Sequence, residues 1–556
     1  MRYIVFSILI ILMLPVGRLS AQAKPENDFI LRAMKDELNR SITELKLPGQ
    51  SKPFFIMYGI SNQRTYSVSG TLGAIIHSDE EPYREKTTVR ILVGDYEFND
   101  ESLEDDLNSE PTLRDLALPI DSDYAGIRRS LWSTTDNVYR NAAKHFASHQ
   151  ETVSEMKKSI DDIPHRKFGR VAPTRIITDS VAFSFDRKGW EEKVKALSAL
   201  FIDKPSIVNS MVMIQCVQGY QYLANTEGTM ARTPDQFIMF MAMARMKNKE
   251  DEFVSRQVFH IARRSEDIPA EQQLEAELKE MIRGLENVEL AEKFDEDYSG
   301  PVLLIGDAVS NFLAGSLLSQ REGLMASDNI QRLKGYQYSD PESALDMKIG
   351  KAITSTDMTV KAKPKLKSYN GISLLGSYEI DAEGVVPPDE LTIIEKGVLK
   401  TLMNNRTITH PSQTANGFAS GAGVLEVTFA GKDTEKTLKE KLIKKAKEEG
   451  LEYAIIVREA GEASYGPQSV YKVSVADGSE TLVRNARLGF SNLKALKKIM
   501  GSSAEYSVDN RSGMRMEQPL SVIAPKCLLI EELDITSFRM PSLKQDEYVP
   551  SPLVKK

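Results

Sequence analysis

Apolar residues recur at helical spacing near the start of the chain. Between Asn27 and Leu45 they fall three or four residues apart, which is the period of an amphipathic helix. Pattern or composition predicts further helices at residues 121–156, 269–294 and 434–449, and after Asp307. The helix at 434–449 is predicted to end at Gly450, since glycine adopts the left-handed conformation that closes a helix.

The remaining apolar runs are short and predict strands. Such runs occupy residues 54–60, 87–93, 301–305, 372–380, 391–395, 398–403, 453–457, 469–475, 481–488 and 519–533. Lys396-Gly397 and Asp477-Gly478 predict hairpin turns between neighbouring strands. The run Val208–Leu223 (VNSMVMIQCVQGYQYL) predicts a strand pair with a tight connection near Gly219. Residues 234–246 fit a strand or a helix.

A cluster of turn-forming residues divides the chain into two halves. Residues 295–301 (DEDYSGP) are typical of a domain boundary. We therefore expect a domain over residues 24–295, with a helical expansion around 100–170, and a β-rich domain over residues 296–556.

The amino terminus is typical of a secretory signal peptide. Arg2 is followed by an apolar run and by the small residues that end at Ala23, so cleavage is expected after Ala23. A membrane anchor is the alternative, but the apolar run is shorter than the roughly 20 residues that a spanning helix needs. The mature protein is expected to be exported, either periplasmic or secreted.

Composition limits the partners and the chemistry. The chain has 556 residues with a net charge of −8, which becomes −10 when Arg2 and Arg18 leave with the signal peptide. This acidic balance argues against nucleic acid as the main partner, because proteins that bind duplexes usually have a concentrated basic surface, and it leaves only a local basic patch open. Six histidines and two cysteines leave few ligands for a transition metal. Cys216 and Cys527 could be two buried thiols or one disulfide.

The chain contains few recognisable catalytic motifs. The chain has neither a phosphate-binding G-x-x-x-x-G-K-[ST] loop nor a G-x-S-x-G nucleophile elbow. His145 and His149 are four residues apart on a predicted helix and could face one metal ion. Phe146 stands where a zinc peptidase has its general base, so the pattern favours two solvated helix histidines.

The segment Gly376–Arg406 contains the most distinctive polar residues. Asp381 and Glu383 precede Gly384 in an acidic turn between two predicted strands. This turn could be a polar loop, or it could present a pair of carboxylates at a cleft, where they would bind a basic group or orient a peptide. The spacing alone leaves both interpretations open.

These residues resemble the TldD/PmbA family, called modulators of DNA gyrase and understood as zinc-dependent peptidases. The resemblance depends on Asp381-x-Glu383-Gly384, on residues 391–399 and on Asn405-Arg406, and it extends over about residues 200–540. It implies a two-domain α+β fold, with an N-terminal α/β domain and a mostly antiparallel β C-terminal domain. It also implies assembly as dimers and cleavage of unfolded or peptide-like chains.

The metal motif of catalytic family members is degenerate in this chain. In those members a helix carries H-E-x-x-x-H, in which two imidazoles bind zinc and the glutamate activates water. The resemblance places Ala314 and Ser319 at the histidine positions, Gly315 at the glutamate position and Gly513 at the position of a cysteine ligand. We therefore predict no zinc or other cofactor in this chain.

Together these features predict a non-catalytic, PmbA-like subunit that pairs with a TldD-like catalytic subunit or with itself. Asp381, Glu383, Gly384 and Arg406 are the candidate substrate-binding residues, and strand addition at a sheet edge would help to hold the peptide. No stable membrane insertion is expected after the signal peptide is cleaved. Two alternatives remain: an active peptidase that uses Glu383, Asp381 or the histidine pair, and a periplasmic peptide-binding protein without catalysis.

Overall fold

A computed structural model of the chain describes residues 28–83, 88–103, 118–119, 121, 123–179, 181, 183–247, 253–318, 323–326, 345–410, 413–460, 467–489, 493–511 and 519–537. The signal peptide expected at residues 1–23 lies outside them. No helix in these ranges is both long enough and apolar enough to cross a membrane.

Six α-helices lie in the described residues. They are α1 (Phe29–Glu44), α2 (Tyr124–Met156), α3 (Arg187–Ala199), α4 (Glu271–Leu290), α5 (Asp307–Leu317) and α6 (Glu435–Glu448). All were predicted except α3. Thr434 caps the start of α6 by accepting a hydrogen bond from the Thr437 amide. Gly450, with a φ of +74°, follows the end of α6 as predicted.

The first half of the chain forms one sheet of seven strands. The described strands before residue 263 are β1 (Pro53–Thr71), β2 (Ala74–Tyr83), β3 (Thr88–Val93), β4 (Lys167–Phe168), β5 (Arg175–Ile177), β6 (Ile207–Asn225), β7 (Met230–Lys247) and β8 (Phe253–Ala262). The sheet order is β2-β1-β6-β7-β5, with β3 also paired to β1 and β8 also paired to β7. Helices α1 and α2 cover one end of a sheet face, and α3 and α4 cover the other end of the same face.

The prediction of a strand pair at Val208–Leu223 is wrong, because β6 is a single strand that passes through Gly219. There the backbone of β1 comes so close that a Cβ atom would lie 2.2 Å from the Asn62 carbonyl oxygen. The glycine therefore permits a close approach of two strands and does not form a turn. Residues 234–246, left open between strand and helix, lie in β7.

The second half is built mainly of strands. Those after residue 291, within the described ranges, are β9 (Glu292–Lys293), β10 (Tyr298–Ile305), β11 (Met358–Ala362), β12 (Ser368–Tyr369), β13 (Ile372–Ser373), β14 (Leu391–Glu395), β15 (Val398–Leu399), β16 (Thr407–Ile408), β17 (Val424–Phe429), β18 (Tyr453–Ala460), β19 (Pro467–Ser474), β20 (Glu480–Arg484), β21 (Ala486–Leu488), β22 (Ile499–Ser502), β23 (Tyr506–Arg511), β24 (Leu520–Pro525) and β25 (Cys527–Ser537).

These strands form two larger sheets. One has the order β21-β25-β10-β18-β19-β20-β9, with β22 also on β25, and the other has the order β15-β14-β11-β17-β24-β23. Most neighbours are antiparallel, as predicted; β10 with β18, β17 with β24, and β20 with β9 are parallel. The largest apolar cluster contains residues of both sheets and of α5, and α6 packs on the other side of the β10 sheet. The predicted α+β class is confirmed.

The predicted strand at residues 372–380 is wrong beyond Ser373. Beyond Ser373 the chain is irregular, and Gly376 passes so close to Gly423 that a Cβ atom on Gly376 would lie 1.8 Å from the Gly423 carbonyl oxygen. The amide of Tyr378 then donates to the Pro364 carbonyl, and its hydroxyl donates to the Gly421 carbonyl at 2.8 Å. These contacts fix an irregular loop that leads into the acidic turn.

The close approach at Gly219 can be tested by adding one methyl group. Gly219→Ala should lower the free energy of unfolding by about 2 kcal/mol or more, because β1 or β6 must shift to admit the Cβ atom. Gly59→Ala is the matched control, since its Cβ atom would be 3.4 Å from the nearest atom, Thr88 Cβ. Urea denaturation of both variants measures the difference, and equal stability would contradict a close approach at Gly219.

Candidate functional site

The acidic turn is organised around the side chain of Asp381, which is only 2% exposed. One carboxylate oxygen accepts hydrogen bonds from the amides of Glu383 and Val385 at 2.9 and 2.8 Å. The other accepts one from the Ala419 amide at 3.0 Å. Asp381 therefore shapes the turn, and its carboxylate is not presented to a cleft.

Burial changes the acidity of this carboxyl group. It raises the pKa of Asp381 from its ordinary value near 3.8 to about 6, although the hydrogen bonds from Val385 and Ala419 act in the opposite direction. The nearby carboxylate of Glu383 adds to the increase. Asp381 consequently changes charge in the range between weakly acidic and neutral pH.

Gly384 brings the turn against the first sheet. It has a φ of +82°, and a Cβ atom there would lie 3.0 Å from Thr229 and 3.1 Å from Leu223, both near the connection between β6 and β7. A larger residue would be strained by its conformation and by this contact. The turn predicted from the sequence is thus part of the junction between the two halves of the chain.

Glu383 connects two arginines at this junction. One of its carboxylate oxygens accepts a hydrogen bond from the Arg406 amide at 2.6 Å, and the other binds the Arg90 guanidinium. Arg90, in β3, also pairs with Glu101. Burial alone would lower the pKa of Arg90, but the two carboxylates outweigh burial and raise it.

Arg406 is the most deeply buried charge of the site, with 0% of its surface exposed. Its two terminal nitrogens donate to the two carboxylate oxygens of Glu227, each at 2.7 Å. Its Nε atom donates to the Gly169 carbonyl at 2.9 Å. The guanidinium carbon lies 3.9 Å from the centre of the Phe168 ring. The side chain is thus fully occupied by the first half of the chain.

The site is therefore a row of linked charged residues, Glu101, Arg90, Glu383, Arg406 and Glu227, in which Glu383 is joined to Arg406 through the Arg406 backbone amide. Next to it, β16 pairs with β4, so the two halves also share a small sheet. The structure brings the four candidate substrate-binding residues together, but their polar groups bind other parts of the chain. A direct contact of these residues with substrate stays a prediction.

Sequence reasoning missed three members of this row, namely Arg90, Glu101 and Glu227. Arg90 lies 293 residues before Glu383, and Glu227 lies 179 residues before Arg406. No local pattern connects residues so far apart. Residues 225–228, which include Glu227, have turn-forming composition, but such composition does not identify the partner of a charge.

The positions of the degenerate metal motif fall partly on α5. Ala314 packs into the largest apolar cluster, and Gly315 is the next residue of that helix. A methyl group and a hydrogen atom have no lone pair, so neither residue can bind zinc or activate water. Ser319 and Gly513 lie outside the described residues. The side chains at the two described positions offer no donor atom and therefore do not fit a zinc ion.

Other potential metal ligands are dispersed. Across the described ranges, no three His, Cys, Asp or Glu side chains lie close enough together to hold a metal ion. The prediction that His145 and His149 are solvated is wrong, since both are buried on the inner side of α2. The Nδ1 atom of His149 lies 3.1 Å from the Asn99 carbonyl oxygen. These rings help to pack α2 against the first sheet.

The two cysteines are free and buried, which resolves the alternatives that the sequence left open. Cys216 lies in β6 of the first sheet and Cys527 in β25 of the second half. Burial raises the pKa of Cys216 to about 12 and that of Cys527 to about 11. Both thiols therefore remain protonated at neutral pH and are poor nucleophiles.

Comparison with known proteins agrees with this architecture. Residues 301–537 match the family profile described as PmbA/TldA metallopeptidase C-terminal domain. A crystal structure from Thermotoga maritima, described as a proposed modulator of DNA gyrase, is 16% identical, with a TM-score of 0.54 over 90% of this chain and 100% of that one.

Two further crystal structures have the same fold. A proposed modulator of DNA gyrase from Bacteroides thetaiotaomicron is 12% identical, with a TM-score of 0.54 over 91% of this chain and 98% of that one. TldE from Thermococcus kodakarensis is 12% identical, with a TM-score of 0.52 over 91% and 100%. No curated protein matches the sequence. The resemblance stated from the sequence is confirmed, and at these identities the structures establish the fold alone.

The pairing of Arg406 with Glu227 should stabilise the protein strongly. Glu227→Gln leaves a fully buried guanidinium without its anion, and we expect it to lower the free energy of unfolding by about 3–5 kcal/mol. Glu395→Gln is the control, because Glu395 and Lys400 form an exposed pair worth less than about 1 kcal/mol. Urea denaturation compares the two, and equal losses would contradict the importance of the buried pair.

The raised pKa of Asp381 should make stability depend on pH. Since the folded protein holds this proton more tightly than the unfolded chain, the resulting stabilisation is present below about pH 4 and is lost as pH rises through about 6. Relative to Asp381→Asn, the free energy of unfolding of the wild-type protein should fall by about 3 kcal/mol between pH 4 and 7. Unfolding measured for both proteins across this range tests the prediction, and a constant difference would contradict it.

Proposed function

We propose a function for this chain, which has the TldD/PmbA fold and whose residues 301–537 match the PmbA/TldA metallopeptidase C-terminal domain family. The protein is the non-catalytic subunit of an exported peptidase complex. It pairs with a TldD-like catalytic subunit, and the complex acts on unfolded or peptide substrates.

One observation carries this proposal: α5 follows β10 and is fully formed, yet it has Ala314 and Gly315 where the family resemblance places a histidine and a glutamate. The helix is retained and packed into the apolar core, while the donor atoms for zinc and for water activation are missing. A fold that is kept without its reactive groups suits a subunit whose partner supplies the chemistry.

The charged row at the junction supports a structural contribution. Asp381 and Glu383 are held by backbone amides and by arginines of the same chain, so neither is placed to act as a general base in the manner of the alternative peptidase mechanism. His145 and His149, the other candidates, are buried in the packing of α2. A periplasmic peptide-binding protein without any catalytic subunit remains the second interpretation, and the partner decides between them.

Export is part of the proposal and is supported by the signal-like pattern of residues 1–23. An exported complex would meet peptides and unfolded chains outside the cytoplasm, where no DNA gyrase is present. The role of the complex is therefore expected to concern peptides.

Purification from the native cells under mild conditions tests the proposal. We expect a TldD-like chain with an intact H-E-x-x-x-H motif to accompany the tagged protein in equal amount, and zinc to follow that chain. The separated protein should hold far less than about one equivalent of zinc. A full equivalent in the separated protein, or peptide hydrolysis by it that Glu383→Gln abolishes, would contradict the non-catalytic role. Purification without any partner would favour the peptide-binding protein.

A further inference from the structure

Among the described residues, no helix packs on one face of the seven-stranded sheet along β6, β7 and β8. Even-numbered residues of β6 and β7, such as Ile214 and Phe240, point towards α3 and α4 and belong to their apolar cluster. Odd-numbered residues lie on the opposite face. There the odd-numbered side chains of β7 from Met241 to Lys247 are half-buried, whereas the even-numbered side chains between them are buried.

On this opposite side lies a methionine face, defined as the half-buried side chains of Met211, Met213, Met241, Met243 and Phe259. Strand pairing places them side by side: Met213 lies opposite Met241, Met211 opposite Met243, and Met241 opposite Phe259. Within the part of the chain that the structure describes, none of the five belongs to an apolar cluster. These side chains therefore form an apolar surface that no described apolar cluster covers.

We infer that the methionine face binds the apolar segment of an extended peptide, an inference that rests on the proposed function and names a binding surface for its substrate. Methionine is unbranched and polarisable, so it adapts to differently shaped side chains, and surfaces rich in methionine accept varied apolar sequences. Phe259 adds an aromatic ring on β8. A subunit that handles unfolded chains of many sequences needs such tolerance.

The dimensions of the face favour a peptide over a second copy of the chain. From Met241 to Arg245 it is about 14 Å long, and its three strands span about 10 Å, at the ordinary spacings of a β-sheet. The resulting area of roughly 140 Å² is well below the about 800 Å² per partner that a stable protein interface buries. An extended peptide segment of about four residues matches this length.

The charge at one end of the methionine face indicates which end of the peptide binds there. Arg245 lies on the same side of β7, next to the methionines, and its guanidinium lies 3.8 Å from the centre of the Phe253 ring. Its Nε atom is buried without a hydrogen-bond partner, and among the described residues no carboxylate forms an ion pair with it. An unpaired guanidinium beside an apolar strip suits a carboxylate on the peptide.

The probe is a fluorescein-labelled unstructured peptide about eight residues long, rich in leucine and phenylalanine, made with a free carboxylate or with an amide at its C-terminus. Anisotropy gives its Kd for the purified protein. Met241→Glu should raise Kd at least about tenfold, because it places a charge in the middle of the apolar strip. Arg245→Gln should raise Kd for the carboxylate peptide only. Met347→Glu, a control on a side chain that is 57% exposed in the second half, should change nothing.

The outcomes separate this inference from the proposed function. If wild-type protein binds the peptide and Met241→Glu binds it equally well, the inference is overturned while the proposed function stands. If wild-type protein binds neither peptide, the inference is also overturned, and co-purification with a zinc-bearing partner still decides the proposed function. If sedimentation shows a dimer that Met241→Glu dissociates, a second copy covers the face and the inference is wrong. Circular dichroism confirms that each variant is folded.

Discussion

A guanidinium without access to water is stabilised by an anion beside it, and at Arg406 this interaction joins the two halves of the chain. Its anion, Glu227, comes from the connection between β6 and β7, so the second half can bury Arg406 only when it is docked against the first sheet. The backbone of the same residue binds Glu383, which continues the row of charges to Arg90. Arg406 thus contacts the acidic turn through its backbone amide, and its guanidinium contacts Phe168 and the Gly169 carbonyl of the first half.

The sequence predicted those parts of the fold whose signals are local. The helix α6 has a capping threonine at one end and a glycine at the other, and the hairpin at Lys396-Gly397 has two residues with positive φ, so neighbouring residues alone were sufficient. Gly219 was misinterpreted because a glycine that admits a neighbouring strand looks the same in sequence as a glycine in a turn. The distinction depends on β1, about 150 residues earlier in the chain.

The candidate site could likewise be predicted only as far as its signals are local in sequence. The acidic turn was recognised from Asp381, Glu383 and Gly384, but the directions of the two carboxylates were not. Those directions are set by amides and guanidinium groups that folding brings from distant positions, and a local pattern contains no information about them. Two features then give the protein its proposed character: a helix α5 with no donor atoms at the metal positions, and an apolar sheet face left open on the other half. Both suit a chain that binds substrate while another chain reacts with it.

The distance in sequence between Arg406 and Glu227 also has a consequence for the order of folding. Bringing Arg406 and Glu227 together costs more chain entropy than closing a local hairpin, because 179 residues separate them. We therefore expect the sheets of each half to form before the halves dock. Until docking, Arg406 and Glu227 remain hydrated and contribute nothing. A partly docked chain would bury the cation without its anion, which makes such an arrangement unstable. We therefore expect the two halves to dock cooperatively, with the ion pair forming as they meet.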